Sequence, residues 1–355
     1  GNKEVNFGVL VSALELSGDV TIKPTDHVAM FAGETPCDQE GEPLVRILNA
    51  SDRRDLGDGI TIDHTFSSKP TGGYADYYDK MTTYINILAG QAQAIDSSAK
   101  AITFPVIEAT GDESVFKYID TASSRARIGA ISEKLERGNV AIVGLGGTGA
   151  YVLDMVAKTP VKEIHLFDGD RFLQHNAFRS PGAPSVEELR EASQKVAYFQ
   201  QLYSRMHRHI IPHDYYLNET NVEDLRGMDF VFLATDDGEA KRPIVAALEE
   251  YGVPFIDVGM GEYESEGSLA GLLRVTTSTP QQRDHVHEKN RIPFSSPDDR
   301  DDYSQNIQIA DLNALNAALA VVKWKKLCGF YRDLEREHNS IYEVDGNHLL
   351  NEDQA

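Results

Sequence analysis

Asn139-Val140-Ala141-Ile142-Val143-Gly144-Leu145-Gly146-Gly147-Thr148-Gly149-Ala150-Tyr151-Val152 joins a short β-branched run to a glycine-rich turn and an apolar-periodic segment. Residues 140–143 predict a buried strand, and residues 150–158 predict a helix opening behind the glycines. Backbone amides in such a turn approach phosphate oxygens closely, where the dipole of the following helix favours negative charge. Gly144, Gly146, Gly147 and Gly149 are therefore candidate nucleotide-binding residues. A second strand is predicted at 163–167, and Asp168 follows it, 24 positions after Gly144. A carboxylate there can accept hydrogen bonds from ribose hydroxyls. Alone, the pair suits any nucleotide or dinucleotide.

Forward of this unit, helix and strand patterns alternate to Asp257, which predicts a Rossmann-like α/β domain with a mostly parallel sheet and helices on both faces. Residues 276–306 are polar and proline-containing and read as an exposed loop, with an acidic tract at 297–302. A helix is predicted over 307–327 with Leu312, Leu315, Leu319 and Val322 on one stripe. The α/β domain spans 138–355. Backward of it, 114–136 reads as one helix ending before Gly138, within a linking segment at 111–137. Residues 1–110 form a smaller α+β domain, with strands at 5–14, 27–32, 44–48, 60–66 and 101–107. Its helix, at 74–95, carries Tyr77, Tyr78, Met81, Tyr84, Ile85 and Leu88 at helical spacing. The Tyr74, Tyr77, Tyr78, Tyr84 group reads as packing rather than a ligand cage.

The 355 residues carry 34 Lys and Arg against 56 Asp and Glu, a formal charge of -22. Such a balance opposes nonspecific nucleic-acid binding, which needs clustered cations to neutralise phosphates. The longest apolar runs are too short to span a bilayer, and the opening residues do not read as a secretory leader. Only Cys37 and Cys328 are present, so neither a disulfide framework nor a cysteine zinc site is expected, and a reducing cytoplasmic setting fits.

Four further motifs follow in order: Phe167-Asp168-Gly169-Asp170, Asn176-Ala177-Phe178-Arg179, Lys195, and Ala234-Thr235-Asp236-Asp237. With the glycine turn, this constellation resembles the ThiF/MoeB superfamily, which includes the ubiquitin-activating enzymes. The resemblance covers roughly residues 125–327. It implies that Asp168, with Asp170 beside it, holds the ribose, that Arg179 and Lys195 hold the triphosphate, that Asn176 sits beside the phosphates, and that Asp236 binds Mg²⁺. It further implies a homodimer in which Arg127, or its neighbour Arg125, reaches the partner subunit's ATP. The residue types suit the chemistry, because carboxylate attack on an α-phosphorus builds charge that Arg, Lys and Mg²⁺ neutralise. For Asp236 the competing reading is a helix N-cap.

The sequence departs from that family in two places. Relatives carry a catalytic Cys after the Thr-Asp strand and paired Cys-x-x-Cys zinc ligands, and this chain has neither. Cys328 reads as a small buried hydrophobe, and Cys37 sits in a turn flanked by Asp38 and Glu40, a poor setting for a nucleophile. Ser295 or Ser296 could take the place of the thiol as acyl acceptor, although an unassisted hydroxyl is weak. The histidines at 285, 287, 207, 209 and 213 lack regular ligand spacing and read as structural or solvated.

Residues 27–48 faintly resemble the strand-turn-strand of ubiquitin-conjugating domains without their His-Pro-Asn and active-site Cys. Such leader domains are similar to those fused to ThiF-type proteins in bacterial defence or conjugation operons. The expected activity is ATP- and Mg²⁺-dependent adenylation of the C-terminal carboxylate of a ubiquitin-like protein bearing a glycine tail. A conjugating-enzyme-like protein is a further expected partner. A noncatalytic nucleotide-binding scaffold and an NAD-binding oxidoreductase are the alternatives. The latter has no use for Asn176, Arg179 and Asp236.

Overall fold

The computed structural model describes residues 4–57, 59–102, 114–126, 128–136, 138–294 and 308–355. Its contacts divide the chain into two units: residues 1–114 with 118–133, and residues 115–117 with 134–355.

The first unit contains short strands: β1 (Val9–Val11), β2 (Leu16–Ser17), β3 (Val20–Thr21), β4 (Val28–Ala32), β5 (Leu48–Ala50), β6 (Arg54–Asp55), β7 (Thr61–Ile62) and β8 (His64–Ser67). One antiparallel sheet has the order β1-β4-β8-β5, while β2 pairs with β3 and β6 with β7. The helix α1 (Tyr77–Ile95) begins later than its apolar pattern, because the Asp76 carboxylate accepts the Asp79 N–H and caps it. Ala29, Phe66, Tyr74 and Tyr84 form the core. The buried phenols are satisfied, Tyr74 donating to the Ser68 carbonyl at 2.7 Å and Tyr84 to the His27 carbonyl.

Tyr78, expected on the buried stripe of α1, is instead 80% exposed. At 100° per residue it lies opposite Tyr84, whereas Lys80 is one turn before Tyr84 and is buried. A cleft of about 690 Å³ lies in this unit, lined by Leu10, Phe31, Leu44, Met81, Ile85 and Leu88 among others. None of the candidate nucleotide-binding residues lines it. Residues 101 and 102 belong to no strand, and the remainder of the strand expected at 101–107 falls outside the described residues.

The single helix expected over 114–136 is not formed. Within the second unit, Lys117 N–H bonds the Met206 carbonyl at 2.8 Å and Arg208 N–H bonds the Val115 carbonyl at 2.8 Å, so residues 115–117 run extended. Two short helices follow, α2 (Thr121–Ala126) and α3 (Gly129–Ser132). They separate where the Ile128 N–H reaches back to the Ser123 carbonyl at 3.0 Å, closing the first of them.

In the second unit the strands are β9 (Asn139–Val143), β10 (Glu163–Phe167), β11 (Ile210–His213), β12 (Phe230–Leu233), β13 (Phe255–Ser265), β14 (Ser268–Ser278), β15 (Asn339–Glu343) and β16 (His348–Glu352). They form one sheet of order β11-β10-β9-β12-β13-β14-β15-β16. The pairings from β11 through β13 are parallel, and those from β13 through β16 are antiparallel. The strand order reverses between β9 and β12, and the crevice beyond the carboxyl ends of strands at such a point is where α/β folds bind ligands.

The helices are α4 (Gly147–Val156), α5 (Gln174–Ala177), α6 (Val186–Glu191), α7 (Lys195–Tyr203), α8 (Gly238–Tyr251), α9 (Asp284–Glu288) and α10 (Ala310–Leu327). Val140, Ile142, Ile164 and Phe232 share one core with α4, α7 and α10, whereas Ala141, Val143, Phe167 and Val231 share another with α8. Successive strand residues thus serve opposite faces, and helices cover both. No helix among the described residues is long and apolar enough to cross a membrane.

The buried stripe of α10 differs from the one its leucines predict. Asn313, Asn316, Ala317, Ala320, Val321 and Trp324 face inward, Leu312, Leu315 and Leu319 are half-buried, and Val322 is exposed. The reason is its neighbour: α10 packs on α4, where Asn313 sits against Gly147 and accepts the Thr148 hydroxyl at 2.8 Å. Close helix approach selects small and hydrogen-bonded residues over leucine. The loop expected over 276–306 is partly ordered structure. Thr276 to Ser278 complete β14, and in α9 Val286 joins the core while the His285 ring bonds the Thr277 carbonyl at 3.0 Å.

Glu262 is buried on β13, with no hydrogen-bond partner at Oε1. Burial, reinforced by the nearby charge of Asp311, pushes its carboxyl pKa up to about 7 from 4.5. The folded state therefore favours the protonated acid, whose stabilising contribution is complete below about pH 4.5 and lost as pH rises through about 7. Glu262→Gln should remove this loss. In urea unfolding the variant should be more stable than the wild type at pH 8, by up to about 3 kcal/mol, with the difference shrinking toward pH 5. A pH-independent difference would refute this account.

Candidate nucleotide site

Three loops converge beyond the carboxyl ends of β9, β10 and β12. Gly144 turns the chain after β9 with φ +88°, and a Cβ there would lie 2.8 Å from the Ala234 carbonyl oxygen of the loop after β12. Only glycine meets both demands. Gly146 caps α4 without a side-chain hydrogen bond, so α4 opens on bare backbone. Gly147 and Gly149 complete its first turn.

Asp168 leaves β10 almost wholly buried. Its Oδ2 accepts the Leu145 N–H of the glycine loop at 2.7 Å, and its Oδ1 accepts the Asp170 N–H at 2.8 Å. Lys195 arrives as the first residue of α7, because the segment before that helix pairs with residues 170–172. Phe172 N–H bonds the Ser193 carbonyl at 2.8 Å and Lys195 N–H bonds the Asp170 carbonyl at 2.9 Å. The Lys195 ammonium, buried, lies 2.6 Å from Asp170 Oδ2 and 3.4 Å from Asp168 Oδ2. Burial works to raise the Asp170 carboxyl pKa. Hydrogen bonds from Lys195 and Tyr216, with the charges of Lys195 and Arg179, outweigh it and hold the group below the usual carboxylate range.

Asn176 is buried at α5, and its Oδ1 accepts the Leu173 N–H at 2.8 Å. That bond turns Nδ2 the other way, and Nδ2 is buried with no partner. Arg179, whose charge is felt at Asp170, likewise has a buried Nε with no partner. Two orphaned buried donors, with a buried ammonium on the same stretch of chain, fit an anionic ligand rich in acceptor oxygens.

Asp236 and Asp237 precede α8. The capping task falls to Asp237, whose carboxylate accepts the Glu239 and Ala240 N–H groups at 3.0 and 3.1 Å. Asp236 is exposed in the loop whose Ala234 contacts Gly144. An exposed carboxylate at this position is of the type that can hold Mg²⁺, which binds through one or two carboxylates plus phosphate oxygens and water. Arg127, Ser295 and Ser296 lie outside the described residues, and Arg125 stands on α2.

The histidines have protein partners. His207 bonds the Val161 carbonyl at 2.8 Å, His213 lies 3.0 Å from His165, and His287 is 2.9 Å from Glu249. Cys37 and Cys328 are unbridged and half-buried.

Two sets of residues escape a reading by motif. Tyr216 lies past β11 and donates its hydroxyl to Asp170 Oδ1. Asp257, fully buried on β13, lies 2.7 Å from Lys241 of α8 and 2.7 Å from Arg274 of β14. The signal of the second set in sequence is only that Asp257 interrupts an apolar strand, and Tyr216 leaves none.

The fold and these three loops define a nucleotide-binding α/β protein. Residues 121–333, more than half of the chain, match the ThiF family, and the chain belongs to that family. Residues 1–121 match a domain of unknown function, DUF6791. Among solved structures, PaaA is similar with 18% identity over 63% of this chain and 75% of that one, at a TM-score of 0.50. MccB of E. coli with succinimide is similar with 17% identity over 65% of this chain and 71% of that one, at a TM-score of 0.48. MccB of E. coli with ATP matches at 18% identity over 63% and 66%, with a TM-score of 0.45.

Proposed function

We propose that this chain is an ATP-dependent adenylyltransferase that activates the C-terminal carboxylate of a ubiquitin-like protein, in a bacterial conjugation or defence pathway. The observation that carries the reading is a pair of buried donors without partners, Asn176 Nδ2 and Arg179 Nε, in the segment between Asp170 and Lys195, together with the buried Lys195 ammonium on Asp168 and Asp170. In the reaction a carboxylate oxygen attacks the α-phosphorus, an O–P bond forms, and the bond to pyrophosphate breaks. Arg179 and Lys195 neutralise the charge that accumulates on the phosphoryl oxygens, and Asn176 donates to one of them. The helix dipole of α4 and the amides of the glycine loop add to the same field. Asp236 would hold a magnesium ion, whose positive charge would offset that of the phosphates. Asp168 would hold the ribose through the lone pairs left after its two backbone contacts.

Homodimerisation, with Arg127 reaching the partner subunit's ATP, a docking role for the first unit and a conjugating-enzyme-like partner are parts of the same proposal. Because the one cysteine after the Thr-Asp strand, Cys328, follows α10 and is read as a small hydrophobe rather than a nucleophile, the acyl-adenylate is the endpoint unless Ser295 or Ser296 accepts the acyl group as an oxyester. A hydroxylamine-sensitive adduct on either serine would identify that step.

The test is ATP:pyrophosphate exchange with a glycine-tailed ubiquitin-like protein, comparing the wild type with Asp236→Ala. Exchange should require the partner's free carboxylate, and the variant should lose it by about 100-fold or more. Exchange without a carboxylate, or an unaffected variant, defeats the reading.

A further inference from the structure

A phosphate that draws on the Lys195 ammonium competes with the two carboxylates already on it, and the structure shows which one can yield. Asp168 is fixed: it is almost wholly buried, and both its oxygens accept backbone N–H groups, from Leu145 and Asp170. Asp170 is different. Its side chain is 51% exposed, its Oδ2 lies on Lys195 at 2.6 Å, and its Oδ1 already accepts the Tyr216 hydroxyl. Tyr216 stands where it does because Gly169 permits it: a Cβ on Gly169 would lie 2.8 Å from ring carbons of Tyr216. The glycine between the two aspartates therefore lets the ring lie against the loop and bring its hydroxyl to the second carboxylate.

We propose that Asp170 is an exchangeable counter-ion, which neutralises Lys195 until a phosphate claims the ammonium and is then retained by Tyr216. Asp170 and Tyr216 are positioning residues on this account, and neither needs to touch the nucleotide. The exchange rests on the nucleotide reading above and assigns these two residues a task within it. Two features make it favourable. Triphosphate oxygens carry more negative charge than one carboxylate, and solvent reaches the displaced group. The phenol stays protonated throughout, since its hydrogen bond to Asp170, with burial, pushes its pKa up to about 12.

The exchange predicts opposite signs for two substitutions. Asp170→Asn removes the competitor for Lys195 and should tighten binding of a nonhydrolysable ATP analogue roughly tenfold by calorimetry. Binding of adenosine, which makes no demand on Lys195, should not change. Tyr216→Phe keeps the ring but leaves the displaced carboxylate without its donor, and should weaken the analogue about threefold to tenfold. In the Asp170→Asn background that weakening should vanish, because the two residues act through each other. Asp170→Ser, with unfolding temperatures measured for every variant, guards against a folding defect in the amide.

Weaker binding by Asp170→Asn and Asp170→Ser would overturn the proposal, since it would mean that Asp170 contacts the nucleotide or its metal. A Tyr216→Phe effect that persists without Asp170 would overturn it too, by showing that the tyrosine touches the ligand itself. Failure of the wild type to bind either the analogue or adenosine is a separate result. It would defeat the nucleotide reading, and the exchange with it.

Discussion

Arg179→Ala should lower ATP:pyrophosphate exchange by roughly 10²- to 10³-fold while moving the unfolding temperature by no more than about 2 °C. The two halves of this expectation come from one fact. The Arg179 Nε is buried without a partner, so the folded protein draws no hydrogen bond from it, whereas phosphoryl oxygens gathering charge would. Arg179→Lys should recover only part of the loss, because an ammonium cannot reproduce the planar two-donor contact that a guanidinium makes with phosphate. Exchange rates and thermal unfolding of the same preparations check both halves. A large fall in unfolding temperature for Arg179→Ala would show that the side chain is structural and that its place in the site is incidental.

The largest stability effect is expected at Asp257. Its carboxylate is fully buried between the Lys241 ammonium, itself buried, and the Arg274 guanidinium, which also donates to the Thr276 hydroxyl at 2.9 Å. Asp257→Ala leaves two cations with no counter-charge in the core of the second unit. Breaking such a pair by removing one partner costs about 3–5 kcal/mol, which for a unit of this size lowers the unfolding temperature by about 10 °C. Circular dichroism melting curves measure it. Replacing Asp257, Lys241 and Arg274 together with apolar residues of similar volume should recover much of the loss, since the desolvation of the triad is then removed along with its attraction. Asp257 pairs in register with Leu233, one residue before the loop that carries Asp236, so the triad also steadies that loop.

The sheet and its switch point are legible from residues 139 to 257, because parallel strands buried on both faces write continuous apolar runs and each helix between them follows with its own period. The glycine turn, Asp168, Asn176, Arg179, Lys195 and Asp236 are legible for a related reason. All but Arg179, which follows α5, stand near the end of a strand or the start of a helix, where local chain geometry fixes their place.

Elsewhere the sequence misleads for reasons that are not local. The leucines of α10 predict the wrong buried stripe because the neighbouring helix, closely packed at Gly147 and Thr148, admits Asn313 and alanines but no leucine. Residues 114–136 carry a helical composition, yet 115–117 run extended because they hydrogen-bond residues 206–208. The polar segment after 276 hides α9, since one buried valine and one buried histidine bonded to the Thr277 carbonyl suffice to anchor a single turn.

By itself, the sequence determined the class of fold and the family and placed its candidate polar groups near the strand ends, all of which depend on spacing within one or two elements. Only the tertiary structure decided how those groups are paired. Asp168 and Asp170 are alike in sequence, and the fold holds the first by two backbone amides while giving the second a lysine on one oxygen and a tyrosine on the other. Tyr216 lies 46 positions from Asp170 along the chain and Asp257 lies 16 from Lys241. Contacts across such separations are set by strand order and packing, which no local pattern of residues records.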